Sequence, residues 1–249
     1  MRAVATVIVL LGVAVLGVVG ARSLAQEPPP EPPAPAPPVT PVAPEPPAPP
    51  IATAPEAPPV TPAPVPTPPV APAGPSRAIG RPWHGRLVNG VQLPELSADW
   101  LTWDPVLKQI PNRPERRWGT AKLIATLGRV LAGWHAAHPE LGQILVGDLS
   151  RPQGGIFDKR FGGLGHASHQ NGLDADVYYP RADHRLLAAY KPSLVDRALA
   201  QDLVNRFVAA GAQFVFVGTR VGLTGPRKVV EVIAHHNDHM HVRIFPPRG

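Results

Sequence analysis

His239-Met240-His241-Val242-Arg243-Ile244-Phe245 is the stretch that decides the fold. On a strand, successive side chains point to opposite faces. His239 and His241 therefore share one face, and Met240 and Val242 share the other. That alternation predicts a strand with an apolar side toward a core and an imidazole side toward a cleft. Asp174-Ala175-Asp176-Val177 repeats the pattern with carboxylates in place of imidazoles. Working outward, Gln143–Leu149, Gln213–Gly218 and Lys228–Ala234 also read as strands, with Asp174–Tyr179 a short one. Trp118 to His138 reads as a helix, with Leu123, Ile124, Leu127, Val130, Leu131 and Trp134 on one stripe and Pro139 ending it. A second helix starts near Ser193 and Asp196, carries Leu199, Leu203 and Phe207, and ends before Gly211. Arg151–Gly172 is a long Gly-rich loop. Helices and strands do not alternate regularly, so the expected class is α+β: a small, mainly antiparallel sheet with flanking helices and the site at the sheet cleft.

The rest of the chain is of another kind. Of 249 residues, 36 are proline, and two thirds of those lie in 27–76. Such a Pro/Ala/Val/Thr tract cannot pack a core and reads as a disordered, semi-rigid polyproline II spacer. At roughly 3.1 Å per residue it reaches on the order of 150 Å at most. Before it, Ala3–Ala21 is an apolar run without charge, followed by Ser23-Leu24-Ala25, a small-residue cleavage site. The expectation is a signal peptide or membrane anchor over 1–26, a linker over 27–76, one folded domain over 77–249, and an extracytoplasmic location in the periplasm or cell envelope.

The chain has no cysteine, which excludes disulfides, Cys-ligated zinc and a thiol nucleophile. Its formal charge is +6 and the linker carries only glutamates, so the folded part is more basic than the whole. That suits an anionic partner such as an acidic wall polymer, or serves solubility alone. No basic stretch interleaved with aromatics marks a nucleic-acid binder.

Histidine carries the chemistry. His166 and His169 fall in one window, Gly165–Asp176, and His236, His239 and His241 in a second, with His235 adjoining. Three imidazole or carboxylate ligands plus an open position is the catalytic form of a zinc site. Spacing leaves Asp174 and Asp176 as rival ligands. No H-E-x-x-H, P-loop, G-x-S-x-G or dinucleotide fingerprint is present.

Gly165-His166-Ala167-Ser168-His169 with Gly172-Leu173-Asp174 and Asp176, Gly147-Asp148-Leu149-Ser150, and His239-Met240-His241-Val242-Arg243 together resemble the penicillin-insensitive murein endopeptidases. His84-Gly85-Arg86-Leu87 and Trp118-Gly119 are similar too. That family sits in a wider group with lysostaphin-type and D-Ala-D-Ala peptidases and hedgehog domains. The resemblance implies His169, Asp176 and His241 as metal ligands, with Asp176 chosen over Asp174. It implies His239 as the catalytic histidine, and His166 and His236 as further site histidines that bind a second metal or steady the transition state; on physical grounds alone these two hydrogen-bond around the metal ligands. Asp148 and Ser150 either line the cleft or belong to a turn at a strand end. The family has a longer, more acidic insertion where this chain has only Arg181–Ser193, so one zinc ion is expected rather than two. Asp238 stands where D-Ala-D-Ala peptidases carry an acidic base, which makes it the rival of His239.

The activity implied is hydrolysis of a peptide cross-link in peptidoglycan, of the D-Ala to diaminopimelate type, by a metal-activated water. A DD-carboxypeptidase on the same scaffold and a non-catalytic, zinc-containing wall-binding module are the alternatives. The first would shorten stem peptides without opening cross-links, and the second would bind metal without turnover.

Overall fold

The computed structural model describes residues 74–161 and 165–247. The apolar run, and all of the Pro-rich tract up to residue 73, lie outside them. Among the described residues no helix is long and apolar enough to cross a membrane.

Ten strands and two α-helices follow in order: β1 (Arg77–Arg81), β2 (His84–Val88), β3 (Val91–Gln92), β4 (Trp100–Thr102), β5 (Trp118–Gly119), α1 (Ala121–Ala137), β6 (Ile144–Val146), β7 (Asp174–Tyr178), α2 (Arg197–Ala209), β8 (Ala212–Gly218), β9 (Val230–Ile233) and β10 (His239–Ile244). The main sheet has six strands in the order β4-β6-β7-β10-β8-β9. The three central pairings are antiparallel, whereas β4 runs parallel to β6 and β9 parallel to β8. The class is α+β, and the sheet is mixed: three of its five pairings are antiparallel and the two at its edges are parallel. A parallel pair cannot be closed by a tight hairpin, and the segments 103–143 and 219–229 carry the chain between the parallel neighbours. β1–β2 and β3–β5 form two small separate ladders, which the apolar pattern does not reveal.

The helices form where the apolar stripe meets good caps. Thr120 accepts the Leu123 N–H at 3.2 Å to start α1, and Asp196 accepts the Leu199 N–H at 3.0 Å to start α2. Such a cap satisfies one of the free N–H groups of a first turn. α1 buries Leu123, Leu127, Val130, Leu131 and Trp134, and α2 buries Ala200, Leu203, Val204 and Phe207. These meet Val146, Ala175, Val177, Val215, Val217, Met240, Val242 and Ile244 in one continuous core. Each fully buried Leu, Val or Phe contributes about 2 kcal/mol of burial. The helices thus cover one face of the sheet. Strand alternation sends the other set to the opposite face: Asp174, Asp176 and Tyr178 from β7, Phe214 and Phe216 from β8, and His239, His241 and Arg243 from β10. Trp103, Leu145, Tyr178 and Ala188 form a small apolar cluster on that side.

Candidate metal centre

Register brings the two histidine windows together. β10 lies antiparallel to β7 with His241 directly opposite Asp176 and His239 opposite Tyr178. His169 comes from the Gly-rich loop with a left-handed backbone, φ 65°, uncommon for a residue with a side chain. Asp174 holds it there by accepting the His169 backbone N–H at 3.1 Å.

Each histidine has one ring nitrogen committed to an acceptor, which assigns its tautomer. His169 Nδ1–H donates to the Leu149 carbonyl at 2.5 Å, leaving Nε2 as the lone pair. His241 Nε2–H donates to Asp174 Oδ1 at 2.9 Å, leaving Nδ1. His166 Nε2–H donates to Asp148 Oδ2 at 2.7 Å, His239 Nδ1–H to Asp238 Oδ1 at 2.8 Å, and His236 Nδ1–H to the Ala234 carbonyl at 2.6 Å.

The free nitrogens converge on Asp176. His169 Nε2 is 3.2 Å from His241 Nδ1 and 3.3 Å from Asp176 Oδ1, and His241 Nδ1 is 3.5 Å from the same oxygen. Asp176 Oδ1 is buried and has no hydrogen-bond partner among the described residues. With both rings neutral, three acceptors face one another with no donor between them, an arrangement that a metal ion or a proton relieves. Ligands about 2.0–2.1 Å from a tetrahedral zinc stand about 3.3 Å apart, so the residues fit such an ion. His166, His169 and Asp176 also offer ligand atoms within 4.8 Å of one another. His166 Nδ1 is the outlying one, 3.8 Å from Asp176 Oδ2.

The rival aspartates have different surroundings. Asp174 is fully committed: besides His169 and His241 it takes Arg243 Nε–H at 2.6 Å. Asp176 keeps an oxygen free. Burial opposes charge on both carboxylates, yet the histidines, with Arg243 beside Asp174, hold both below the usual carboxylate range. Burial likewise opposes charge on His169, but Asp176 more than offsets it and raises that ring to about 9. At His241 burial wins and the ring is lowered to about 4.

Asp148 anchors His166 from below. It is fully buried, and it accepts from Nε and Nη2 along one edge of the Arg116 guanidinium and from Asn112 Nδ2 at 3.0 Å. Burial alone would raise it, but His166 and Arg116 bring it down to about 2. Arg116 is itself fully buried and stacks over Phe157, whose ring also packs on His166. Asp238 and His239 form one hydrogen-bonded pair. Burial disfavours charge on His239, but Asp176 and Asp238 outweigh it and raise its pKa. Its Nε2 is 3.8 Å from Asp176 Oδ1. His236 packs against His239 with ring centroids 5.0 Å apart, and burial lowers its pKa.

These groups open on a cleft of about 690 Å³ walled by Trp83, Tyr178, Phe216 and Ile233. The structure thus brings together His166, His169, Asp176, His236, His239 and His241. Ser150, by contrast, is buried and bridged to Trp118. Arg116, Asn112, Phe157, Tyr178 and Trp83 escape a sequence reading. A buried arginine on an irregular segment leaves no periodic signal, and an aromatic on a strand reads as core.

A profile of the penicillin-insensitive murein endopeptidase family matches residues 78–213. That span includes His166, His169 and Asp176 and stops before β10. Proteins named penicillin-insensitive murein endopeptidase are similar to the chain. The one from Yersinia pestis is 35% identical over 107 residues, which is 43% of this chain and 34% of the relative. The one from Yersinia enterocolitica is 33% identical over 131 residues, 51% of this chain and 42% of the relative. The one from Salmonella arizonae is 32% identical over 135 residues, 53% of this chain and 42% of the relative. The aligned part spans between about a third and two fifths of the length of these relatives. The chain belongs to the penicillin-insensitive murein endopeptidase family.

Proposed function

We propose that this protein is a zinc-dependent endopeptidase that hydrolyses peptide cross-links of peptidoglycan, of the D-Ala to diaminopimelate type, outside the cytoplasm. The observation that carries the reading is the set of three mutually facing ligand atoms, His169 Nε2, Asp176 Oδ1 and His241 Nδ1, which in their metal-binding protonation states have no donor among them. These three would hold one zinc ion. When bound, zinc supplies Lewis acidity toward a carbonyl and lowers the pKa of water toward about 7.

The remaining work falls to the chain's own groups. His239 Nε2 takes the proton of the attacking water, and Asp238 fixes its tautomer and steadies the imidazolium. The same nitrogen then returns the proton to the leaving amine. Asp174 and the Leu149 carbonyl keep His241 and His169 turned with their lone pairs inward. His166 and His236 act from around the metal. Trp83, Phe216 and Ile233 give the cleft apolar walls, against which alanine methyls and peptide stems can pack.

Digestion of purified sacculi with the full chain, followed by mass spectrometry of the muropeptides with and without a chelator, tests the reading. Cross-linked dimers are expected to fall to monomers only without chelator, with about one zinc per chain. Loss of terminal D-alanine with dimers intact would identify a DD-carboxypeptidase. Metal binding without turnover would identify a wall-binding module. Cleavage that survives His169→Ala would refute the metal assignment.

A further inference from the structure

We propose that the Tyr178 hydroxyl is a catalytic hydrogen-bond donor to the carbonyl oxygen of the scissile peptide. The inference deepens the endopeptidase reading and rests on it. Tyr178 follows Asp176 by two residues on β7 and therefore shares its face of the sheet. In the antiparallel register it stands directly opposite His239, and the two rings lie 5.5 Å apart between centroids at 48°. Its ring lines the same cleft as the converging histidines. The backbone is shaped around it: a Cβ at Gly147 would come within 2.9 Å of the ring edge, so only glycine lets the phenol lie in that position.

The residue is only 5% exposed, its hydroxyl makes no hydrogen bond among the described residues, and that oxygen is not sealed from the cleft the ring lines. The neighbouring phenol makes the contrast. Tyr179, on the opposite face, donates to the His236 carbonyl at 3.0 Å and accepts from the Gly218 N–H. Asp148, Asp174 and Asp238 near Tyr178 all take hydrogens from other groups. If Tyr178 served packing alone, a phenyl ring would fill the small cluster of Trp103, Leu145 and Ala188 equally well.

A donor so placed, one strand across from the proton acceptor His239, meets the charge that develops on the substrate carbonyl as the water adds. It keeps its own proton throughout, so no covalent bond to the tyrosine forms or breaks. Preorganised donors of this kind act on the transition state rather than on the bound substrate.

Tyr178→Phe removes one oxygen and keeps the ring, so folding is preserved. With the zinc-loaded full chain and a cross-linked muropeptide dimer, kcat is expected to fall about 10- to 100-fold with KM within about twofold. Zinc content should stay the same. Affinity for a phosphinate isostere of the cleaved bond should fall by the same factor as kcat/KM, while affinity for an uncleaved D,D-dipeptide analogue should not change. Wild-type turnover that Tyr178→Phe leaves within about twofold would overturn the assignment of Tyr178 alone. Absence of turnover in the wild-type chain would overturn the proposed function, and this assignment with it.

Discussion

His241 lies directly opposite Asp176 across the β10–β7 pairing, and their facing atoms, Nδ1 and Oδ1, are 3.5 Å apart. Neither can donate to the other once His241 Nε2–H is given to Asp174. The pair is therefore built for a cation. The two aspartates of β7 should respond differently to the same change. Asp176→Asn is expected to abolish zinc binding while destabilising the metal-free protein less than Asp174→Asn does. Asp174→Asn strands Arg243 and is expected to cost about 3 kcal/mol even without metal. Zinc analysis and thermal unfolding in chelator test this, and equal loss of stability in both variants would contradict it.

Metal should stabilise the folded state by mass action. At free zinc about 100 times the dissociation constant, the gain is about 2.7 kcal/mol. Thermal scans should move upward with added zinc in the wild-type chain. They should stand still in His241→Ala, whose remaining ligands form an incomplete set.

The Asp238–His239 pair makes a kinetic prediction. Loss of the proton acceptor in His239→Ala is expected to lower kcat by about 10²- to 10⁴-fold with zinc retained. Asp238→Asn keeps an oxygen that can accept the Nδ1–H but loses the charge that steadies the imidazolium. Its loss should be smaller, about tenfold. Steady-state kinetics on a muropeptide dimer distinguish the two, and a larger loss in the Asp238 variant would make that carboxylate the principal base.

Asp148 carries a stability signature in acid. Its folded pKa of about 2 lies below the unfolded carboxylate value of about 3.9. A depressed pKa stabilises the fold fully above the unfolded value and ceases to do so as pH falls through the folded one. On the order of 2 kcal/mol should therefore vanish between about pH 4 and pH 2. Urea unfolding of the metal-free chain at several pH values should show this, and the difference from Asp148→Asn isolates it from other carboxylates.

Much of this was legible in the chain. The strand and helix assignments rest on local alternation and stripes, as in Met240/Val242 and Leu123/Leu127/Leu131, and these survive because burial follows the same periodicity. The edge strand β4 and the small ladders around His84 and Trp118 are short and held by distant partners, so no local pattern marks them. The mixed strand directions were out of reach for the same reason, since pairing partners are chosen by the packed core.

By itself, the sequence determined which residue types were available and which face of each strand they occupy. Two-residue periodicity put His239 with His241, and Asp174 with Asp176, whatever the fold. Only the tertiary structure decided their roles. It set β10 against β7 in the register that opposes His241 to Asp176, spent Asp174 on His241, Arg243 and the His169 backbone, and left Asp176 Oδ1 without a donor. It also brought Arg116 and Asn112 across more than thirty residues to hold Asp148 beneath His166. A hydrogen bond depends on distance and direction in space, which spacing along a chain does not carry.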